Sequence, residues 1–202
     1  MLSRREFVTA MTAAAVSGLT AGCSAVGEDA SIEDEAMVAE EGWRMPDESE
    51  PHLRTWMAFG ANEDIWGEDL LPEVQRNLAA VALAIARFEP VSMLLNEKDL
   101  RTAFDLVGDA VELVPCALDD LWIRDAGPVF VRGRKGNLGG VDFNFNGWGG
   151  KQRHRRDAQV AGFVNAHVGV VTLETRLVLE GGGIEVDGHG TALATESAIL
   201  NR

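Results

Sequence analysis

The stretch with the most chemical potential is LDDLWIRDAGPVFV, residues 118–131. It places Asp119, Asp120 and Asp125 around Trp122 in a run that otherwise predicts a buried strand. Carboxylates beside an aromatic ring suit the binding of a small cation, which the formal net charge of -14 would also attract. Polar residues on strands more often face water, so solvated side chains are the alternative interpretation.

Two glycine-rich stretches follow this run. In LEGGGIEVDGHG, the glycines after Glu180 allow the backbone to turn sharply and to approach a ligand closely, although a plain loop has the same composition. In NGWGGKQ, residues 146–152, Phe145 stands where a phosphate-binding loop requires glycine, so that function is rejected. We expect Trp148 to pack in the core or at its rim and Lys151 to be a surface charge.

Metal and thiol chemistry have weak support. Glu185, Asp187 and His189 lie where a strand runs into a glycine turn, which is more often a solvated hairpin than a metal site. The chain has two cysteines, Cys23 and Cys116, and no pattern of a disulfide-built fold. Cys116 ends an apolar run, which favours a small buried thiol over a nucleophile.

The first 26 residues have the features of a targeting signal. The SRREF sequence resembles a twin-arginine export signal, and the apolar stretch behind it is too short to predict a membrane span. The TAGC sequence is similar to a lipoprotein box, which makes lipid attachment at Cys23 one outcome and simple cleavage the other. We therefore expect export to the cell envelope or the extracellular space. A disordered N-terminus with two chance arginines is the alternative.

Acidic residues are concentrated in residues 27–50, which carry ten of them against a single arginine. Dense like charge with few large apolar groups predicts a disordered tether over 27–49. The remaining residues, 50–202, are enough for one globular domain. The acidic balance argues against nucleic acid as a partner, because that binding is driven by cationic side chains.

Alternating helices and strands must position these groups. Hydrophobic periodicity predicts strands at RTWMAF, VSMLL and VELV, and helices over 72–88 and at EKDLRTAFDLV. Pro72 fits the first turn of the first helix, and Pro90 stops it. The apolar face of that helix consists of Val74, Leu78, Val81, Ile85 and Phe88.

After Leu118 the pattern predicts mainly strands, at LWIR, PVFVR, GGVDFNF, GVVTL, LVLE, IEVD and ALAT, with one helix near AQVAGFVNAH. Turn signals such as RGRKGN and DGHG separate these elements. The whole pattern is typical of a mixed α/β fold.

The order of these motifs resembles the agmatine deiminase and bacterial peptidylarginine deiminase family of guanidine-modifying enzymes. The resemblance rests on DDLWIRDAGP, NFNGWGGK and LVLEGGGIEVDGHGTALATES, supported by EPHLRTWMAF, ARFEPVSMLLN and ATESAILNR. It runs from Met45 to Arg202 and covers the N-terminal half of the family domain. It implies a pentein-type α/β-propeller of about five ββαβ units, of which this chain would hold two to three, and it implies no cofactor.

The resemblance also implies a reaction, the hydrolysis of a guanidinium to a ureido group and ammonia through a covalent cysteine intermediate. Asp125 would bind the substrate guanidinium, Trp122 would line the pocket, and Glu180 would orient the catalytic histidine. Carboxylates suit this task because guanidinium is a planar, permanently charged donor. A structural salt bridge or turn cap is the alternative for Asp125 and also for Glu180. We expect Asp119 and Asp120 to be solvated or turn-capping groups.

The departures from the family concern its catalytic groups. The histidine segment resembling DGHVDN and the cysteine segment resembling GGGNIHC do not occur in these 202 residues, and His189 lies in a different motif. Without a thiolate and its paired base no covalent intermediate forms, so we expect a truncated deiminase that is inactive alone. The substrate would be agmatine, arginine or peptidyl-arginine. The alternative function is a non-catalytic exported protein that binds guanidinium or polyamine ligands.

Overall fold

A three-stranded parallel sheet forms the first part of the fold. The structure is a computed structural model that describes residues 42–202. The strands are β1 (Thr55–Ala58), β2 (Val91–Leu95) and β3 (Glu112–Pro115), and β2 lies between the other two. All of β2 is buried, as expected for the central strand of a parallel sheet covered on both faces. The three strands predicted in this region are confirmed.

Two helices connect these strands, α1 (Glu63–Ile85) and α2 (Leu100–Val107), with a short 3-10 turn (Glu97–Asp99) before α2. The helix α1 begins well before the predicted residue 72. Its start is fixed by the Asn62 side chain, which accepts a hydrogen bond from the backbone N–H of Ile65 at 3.2 Å. Gly67, with a φ of 73°, then permits a kink. Pro72 consequently lies inside the helix and not in its first turn.

The apolar face predicted for α1 is partly wrong. Val81 is 51% exposed and Phe88 is 84% exposed, whereas Gln75, Ala79 and Ala82 are buried. Phe88 lies beyond the end of α1 at Ile85, whereas Leu78 and Ile85 of the predicted face do pack against the core. The core between helices and sheet consists of Met57, Phe59, Ala79, Ala82, Val91, Met93, Leu95, Ala103, Val107 and Val111.

The segment from Leu118 to Ala126 is a loop that ends in one helical turn, α3 (Ile123–Ala126), so the strand predicted at LWIR is wrong. Leu118 and Ala126 are buried in a second core cluster, and Asp119 and Asp120 are buried as well. The physical reason for the difference is that Asp119 and Asp120 hydrogen-bond to donors that are distant in sequence, in α1 and in the segment after residue 150, and do not face water along a strand.

A second sheet contains β4 (Val129–Arg132), β5 (Leu138–Asp142) and β6 (Val171–Glu174) in that order. The strands β4 and β5 are antiparallel, and β5 and β6 are parallel. The crossover between β5 and β6 contains a one-turn helix, α4 (Gly147–Gly150), and α5 (Val160–Val168), which packs on β5 and β6. The elements β4, β5, α5 and β6 therefore follow one another as a ββαβ arrangement.

A short hairpin follows the second sheet. It consists of the antiparallel strands β7 (Ile184–Val186) and β8 (Ala192–Ala194), and α6 (Glu196–Leu200) comes after it. The strand predicted at LVLE does not form, although the backbone N–H of Leu179 donates to the carbonyl of Phe143 at 3.1 Å. The other elements predicted after Leu118 are present, and the mixed α/β class is confirmed.

Residues 43–50 are attached to the second sheet. Arg44 and Arg132 exchange two backbone hydrogen bonds, each 2.9 Å long. Glu48 also forms an ion pair with Arg124 at 2.6 Å. The domain therefore begins earlier than the predicted residue 50.

Residues 1–41 lie outside the part of the chain that the structure describes. The predicted export signal, lipid attachment at Cys23 and most of the acidic tether fall there and stay predictions. From residue 42 onward, no helix combines the length and the apolar character needed to cross a membrane.

Two glycines on facing elements give a test of the packing between α5 and β5. A Cβ added to Gly140 would lie 1.9 Å from Oδ1 of the buried Asn165, whereas a Cβ on Gly162 would meet nothing within 4 Å. We expect Gly140→Ala to destabilise the domain by about 2 kcal/mol through overpacking. Gly162→Ala should stabilise it by up to about 1 kcal/mol, because alanine is the better helix former. Urea unfolding followed by circular dichroism measures both, and equal effects of the two changes would contradict the described contact.

Candidate functional site

The carboxylate of Asp125, on α3, is held from two sides. Its Oδ2 accepts a hydrogen bond from the indole Nε1 of Trp148 at 3.1 Å, and its Oδ1 accepts one from the backbone N–H of Gly182 at 3.2 Å. A Cβ on Gly182 would lie 2.2 Å from that Oδ1. The glycine-rich stretch after Glu180 therefore lets the backbone come close to a carboxylate, which a side chain would prevent.

Trp148 reaches Asp125 from an unusual backbone conformation. The φ angles of Gly147 (67°), Trp148 (58°) and Gly149 (80°) all lie in the left-handed region. For a bulky residue this conformation costs about 1 kcal/mol, which the surrounding contacts must offset. The Trp148 ring packs edge-on against Phe145, with the ring centroids 5.0 Å apart. Sequence reasoning predicted only packing for Trp148, and the glycines around it were the available signal of a turn that aims the indole.

Glu180 is only 6% exposed and binds the guanidinium of Arg202. The Nε of Arg202 lies 2.8 Å from Oε2 and 3.1 Å from Oε1, and Nη2 makes a further close contact with Oε1. The hydrogen bond to Glu180 raises the pKa of Arg202, and the negative charge of Asp125 adds to this. The structure thus brings the two acids singled out from the sequence together beside one guanidinium.

The electrostatics of this pair favour a cation. Burial raises the pKa of Asp125 above its ordinary value, and the charge of Glu180 raises it further. The hydrogen bonds from Trp148 and Gly182 act in the opposite direction. Because two neighbouring carboxylates disfavour each other's charge, a cation beside both stabilises their ionised forms.

Trp122 provides an exposed aromatic face near Trp148, the residue whose indole binds Asp125. Its side chain is 43% exposed, and its ring lies 6.3 Å from the ring of Trp148 at nearly a right angle. On the other side it lies 6.5 Å from the ring of Trp66. An exposed indole face attracts cations. Trp66, near the start of α1, was not identified from the sequence, because helical periodicity carries no signal for a ring that faces a distant loop.

Asp119 and Asp120 are each 2% exposed, so the expectation that they are solvated is wrong. Asp119 forms an ion pair with Arg153 at 2.9 Å and accepts a hydrogen bond from the backbone N–H of Arg156 at 2.6 Å. This contact is the turn-capping alternative that the sequence suggested. Asp120 accepts hydrogen bonds from three side chains.

Asp157 supports the same loop and was missed in the sequence. It is 3% exposed and accepts the backbone N–H of Asp119 at 2.7 Å and that of Asp120 at 3.1 Å. Burial raises its pKa to about 6, and the charges of Asp119 and Asp120 contribute to the increase. Nothing in the surrounding RRDAQ sequence distinguishes this aspartate from a surface residue.

The remaining candidates have structural positions. Burial, with a further contribution from Asp157, raises the pKa of the Cys116 thiol to about 11, which opposes a nucleophilic role at neutral pH. Asp187 accepts the backbone N–H groups of His189 at 2.8 Å and Thr191 at 3.0 Å and so closes the glycine turn. Among residues 42–202, no group of histidine, cysteine, aspartate and glutamate side chains is arranged to hold a metal ion.

The fold and the site define a mixed α/β protein in which the buried Glu180, near the half-buried Asp125, binds the guanidinium of Arg202. Residues 44–202 match the family of Porphyromonas-type peptidyl-arginine deiminases, and the chain belongs to that family. A Streptomyces avermitilis relative is 46% identical over 165 residues, which cover 80% of this chain and 48% of the relative. The agmatine deiminase of Stutzerimonas stutzeri is 41% identical over 170 residues, covering 81% of this chain and 46% of the relative.

Solved structures give the same result. The agmatine deiminase of Enterococcus faecalis superposes with a TM-score of 0.75 at 34% identity, over 80% of this chain and 46% of that structure. The chain therefore spans about half the length of the relatives that it matches. The match establishes the family and the fold of the shared region.

The raised pKa of Asp157 predicts a pH-dependent contribution to stability. Its pKa increases from 3.8 to about 6 on folding, so the folded state binds more protons than the unfolded state between these pH values. Stability contributed by this group is present at pH 4 and is lost as the pH rises through 6. We expect the free energy of unfolding of the wild type, relative to Asp157→Asn, to fall by about 2 kcal/mol between pH 4 and pH 7.

A matched control has the opposite sign. Hydrogen bonds from the Thr191 side chain and from the backbone N–H groups of His189 and Thr191 lower the pKa of Asp187 to about 2. The stability of the wild type relative to Asp187→Asn should therefore rise between pH 2 and pH 4 and stay constant above it. Urea unfolding at each pH measures both differences. A wild type whose stability relative to Asp157→Asn does not change with pH would show that Asp157 titrates normally.

Proposed function

We propose that residues 44–202 form the guanidinium-binding half of a guanidine-group hydrolase that acts on agmatine or a closely related guanidino compound. The observation that carries this proposal is the position of Arg202, whose guanidinium binds Glu180 through Nε and Nη2 and lies close to Asp125. A site that accommodates a guanidinium from its own chain has the shape and charge to accommodate the same group on a substrate.

The chemistry of guanidinium explains the selection of these side chains. The cation is planar and offers N–H donors along its edges, so a carboxylate can accept two parallel hydrogen bonds and fix its plane. Glu180 already makes such a contact. Asp125 is oriented by Trp148 and Gly182, and the exposed ring of Trp122 lies 6.3 Å from the ring of Trp148. A substrate guanidinium would be held by two carboxylates and one aromatic face.

We propose that the groups which break the C–N bond lie outside residues 42–202. Hydrolysis requires a nucleophile that attacks the central guanidinium carbon, a proton donor for the departing ammonia and a base that activates water. Cys116 does not suit the first role, because its pKa lies near 11. We assign the nucleophilic cysteine and its histidine to sequence outside residues 42–202, as the family resemblance implies.

The arrangement of elements supports a propeller. The elements β4, β5, α5 and β6 match the order and strand directions of one ββαβ unit. The antiparallel strands β7 and β8, followed by α6, have the order of the first three elements of a second ββαβ unit. We propose that these units, with the β1–β3 sheet, are part of a closed ring around the carboxylate site.

Agmatine binding by this chain tests the proposal. Agmatine must displace the guanidinium of Arg202 from Glu180, so we expect Arg202→Gln to bind agmatine at least fivefold more tightly than the wild type. Asp125→Asn should bind at least tenfold more weakly, because one charged partner is lost. Isothermal titration calorimetry measures both affinities. The control variant is Arg101→Gln, since Arg101 is 86% exposed and, within residues 42–202, pairs only with Asp105 on the same helix.

The ligand also has a control. The compound 1,4-diaminobutane has no guanidinium and should bind much more weakly than agmatine. Equal affinities for the two ligands, or an affinity of Asp125→Asn equal to that of the wild type, would refute a guanidinium site.

Turnover separates binding from catalysis. We expect the 202-residue chain to release no ammonia from agmatine above the level of an Asp125→Ala variant, because residues 42–202 offer no activated thiol. A coupled ammonia assay measures this. Turnover clearly above that of the variant would show that the chain contains its own nucleophile.

A further inference from the structure

Asp120 has a buried carboxylate that is fully occupied by side-chain donors. Its Oδ1 accepts the indole Nε1–H of Trp66 at 2.9 Å. Its Oδ2 accepts the indole Nε1–H of Trp122 at 2.9 Å and the amide Nε2–H of Gln152 at 2.8 Å. Its own backbone N–H donates to Asp157. The main chain and the side chain of Asp120 are therefore both fixed.

The three donors come from three separate parts of the chain. Trp66 lies in α1, Trp122 lies in the loop before α3, and Gln152 follows the one-turn helix α4. None of them carries a positive charge, so the carboxylate is buried without an ion-pair partner among its hydrogen-bond donors. Burying such a charge is costly, and an apolar residue would fill the space at lower cost. This cost is explained if the buried carboxylate serves to hold its three donor side chains in fixed orientations.

We propose that Asp120 is a positioning residue, which fixes the orientation of Trp122 and, through the turn that carries Trp148, that of Asp125 in the guanidinium site. Trp122 is 43% exposed, and the hydrogen bond from its Nε1–H to Asp120 fixes the orientation of its ring between those of Trp66 and Trp148. Gln152 lies just beyond the left-handed turn that carries Trp148, and Trp148 orients Asp125. The carboxylate of Asp120 therefore links the indole of Trp122 to Gln152, which follows the turn from which Trp148 orients Asp125. This inference rests on the proposed function for the identity of the ligand.

The geometry predicts how Asn differs from Asp at this position. An amide offers one acceptor oxygen, and its NH₂ group faces any donor on the other side. If the amide oxygen keeps Trp122 and Gln152, the indole of Trp66 loses its acceptor. If it turns to Trp66, the other two donors are lost. Either way Asp120→Asn removes at least one indole hydrogen bond and the charge that strengthens the rest.

The indole N–H resonances of the chain allow a direct test. The sequence has five tryptophans, and Trp→Phe variants assign their ¹H–¹⁵N signals. In Asp120→Asn we expect the signal of Trp66 or Trp122 to shift, while that of Trp56 stays in place. Agmatine affinity should fall at least tenfold in the same variant. The matched control is Asp119→Asn, an equally buried aspartate that binds arginines and no indole, and it should leave the Trp66 and Trp122 signals unchanged.

Each outcome is decisive. Shifted indole signals with weakened binding support the proposal. Unchanged signals, or shifted signals with wild-type affinity, overturn it. A wild-type chain that binds no agmatine refutes the proposed function instead, and the indole signals still report the role of Asp120 in orienting Trp66 and Trp122.

A measurement on the wild type covers the case in which Asp120→Asn does not fold. The Nε1 of Trp43 is buried without a hydrogen-bond partner. The indole protons of Trp66 and Trp122 should therefore resonate downfield of that of Trp43, as expected for donors to a carboxylate. Indole protons of Trp66 and Trp122 that resonate with or upfield of that of Trp43 would overturn the proposal without any variant.

Discussion

A carboxylate can leave water only if N–H groups replace the water around it, and this requirement organises the loop between β3 and β4. Asp119, Asp120 and Asp157 are all buried there, and each accepts at least two hydrogen bonds or ion pairs. The donors come from the loop itself, from α1 and from the segment after α4. A Cβ on Gly60 would lie 2.1 Å from the carbonyl oxygen of Asp120, so the end of β1 also closes on this loop. The two sheets therefore meet around a set of fixed acceptors.

The acidic pair depends on that framework. Asp125 follows the loop directly, and its donors lie on the α4 turn and on the backbone after Glu180. Neighbouring buried carboxylates repel each other, so they persist only where donors hold each one in place. The left-handed conformation of Trp148 and the close approach of Gly182 serve this purpose. The conformation of Trp148 destabilises the chain locally, which is common where a site must be pre-organised.

Sequence reasoning succeeded where burial alone decides the structure. VSMLL forms β2 because a continuous apolar run suits a strand covered on both faces, and the helix predicted near AQVAGFVNAH forms α5. The sequence-based prediction failed where hydrogen bonds of polar side chains determine the local structure. The strand predicted at LWIR is a loop and a helical turn because Asp119 and Asp120 bind distant donors, and no local pattern reveals those donors. Asp125 and Glu180 were found through family motifs, whereas Trp66, Trp148 and Asp157 required the tertiary contacts.

The proposed function assigns binding and bond cleavage to different parts of the protein. The two acids, the donors that orient Asp125 and the exposed indole all belong to residues 42–202, and within the chain the guanidinium of Arg202 binds Glu180. The chemistry of cleavage needs an ionised thiol, and burial keeps the Cys116 thiol protonated. A reactive thiolate inside the acidic cluster would also be disfavoured by the carboxylates around it, since like charges raise its pKa. The proposed function avoids this conflict, because a nucleophile supplied by another part of the fold would meet the acids only beside a bound cation, which lowers the cost of the thiolate.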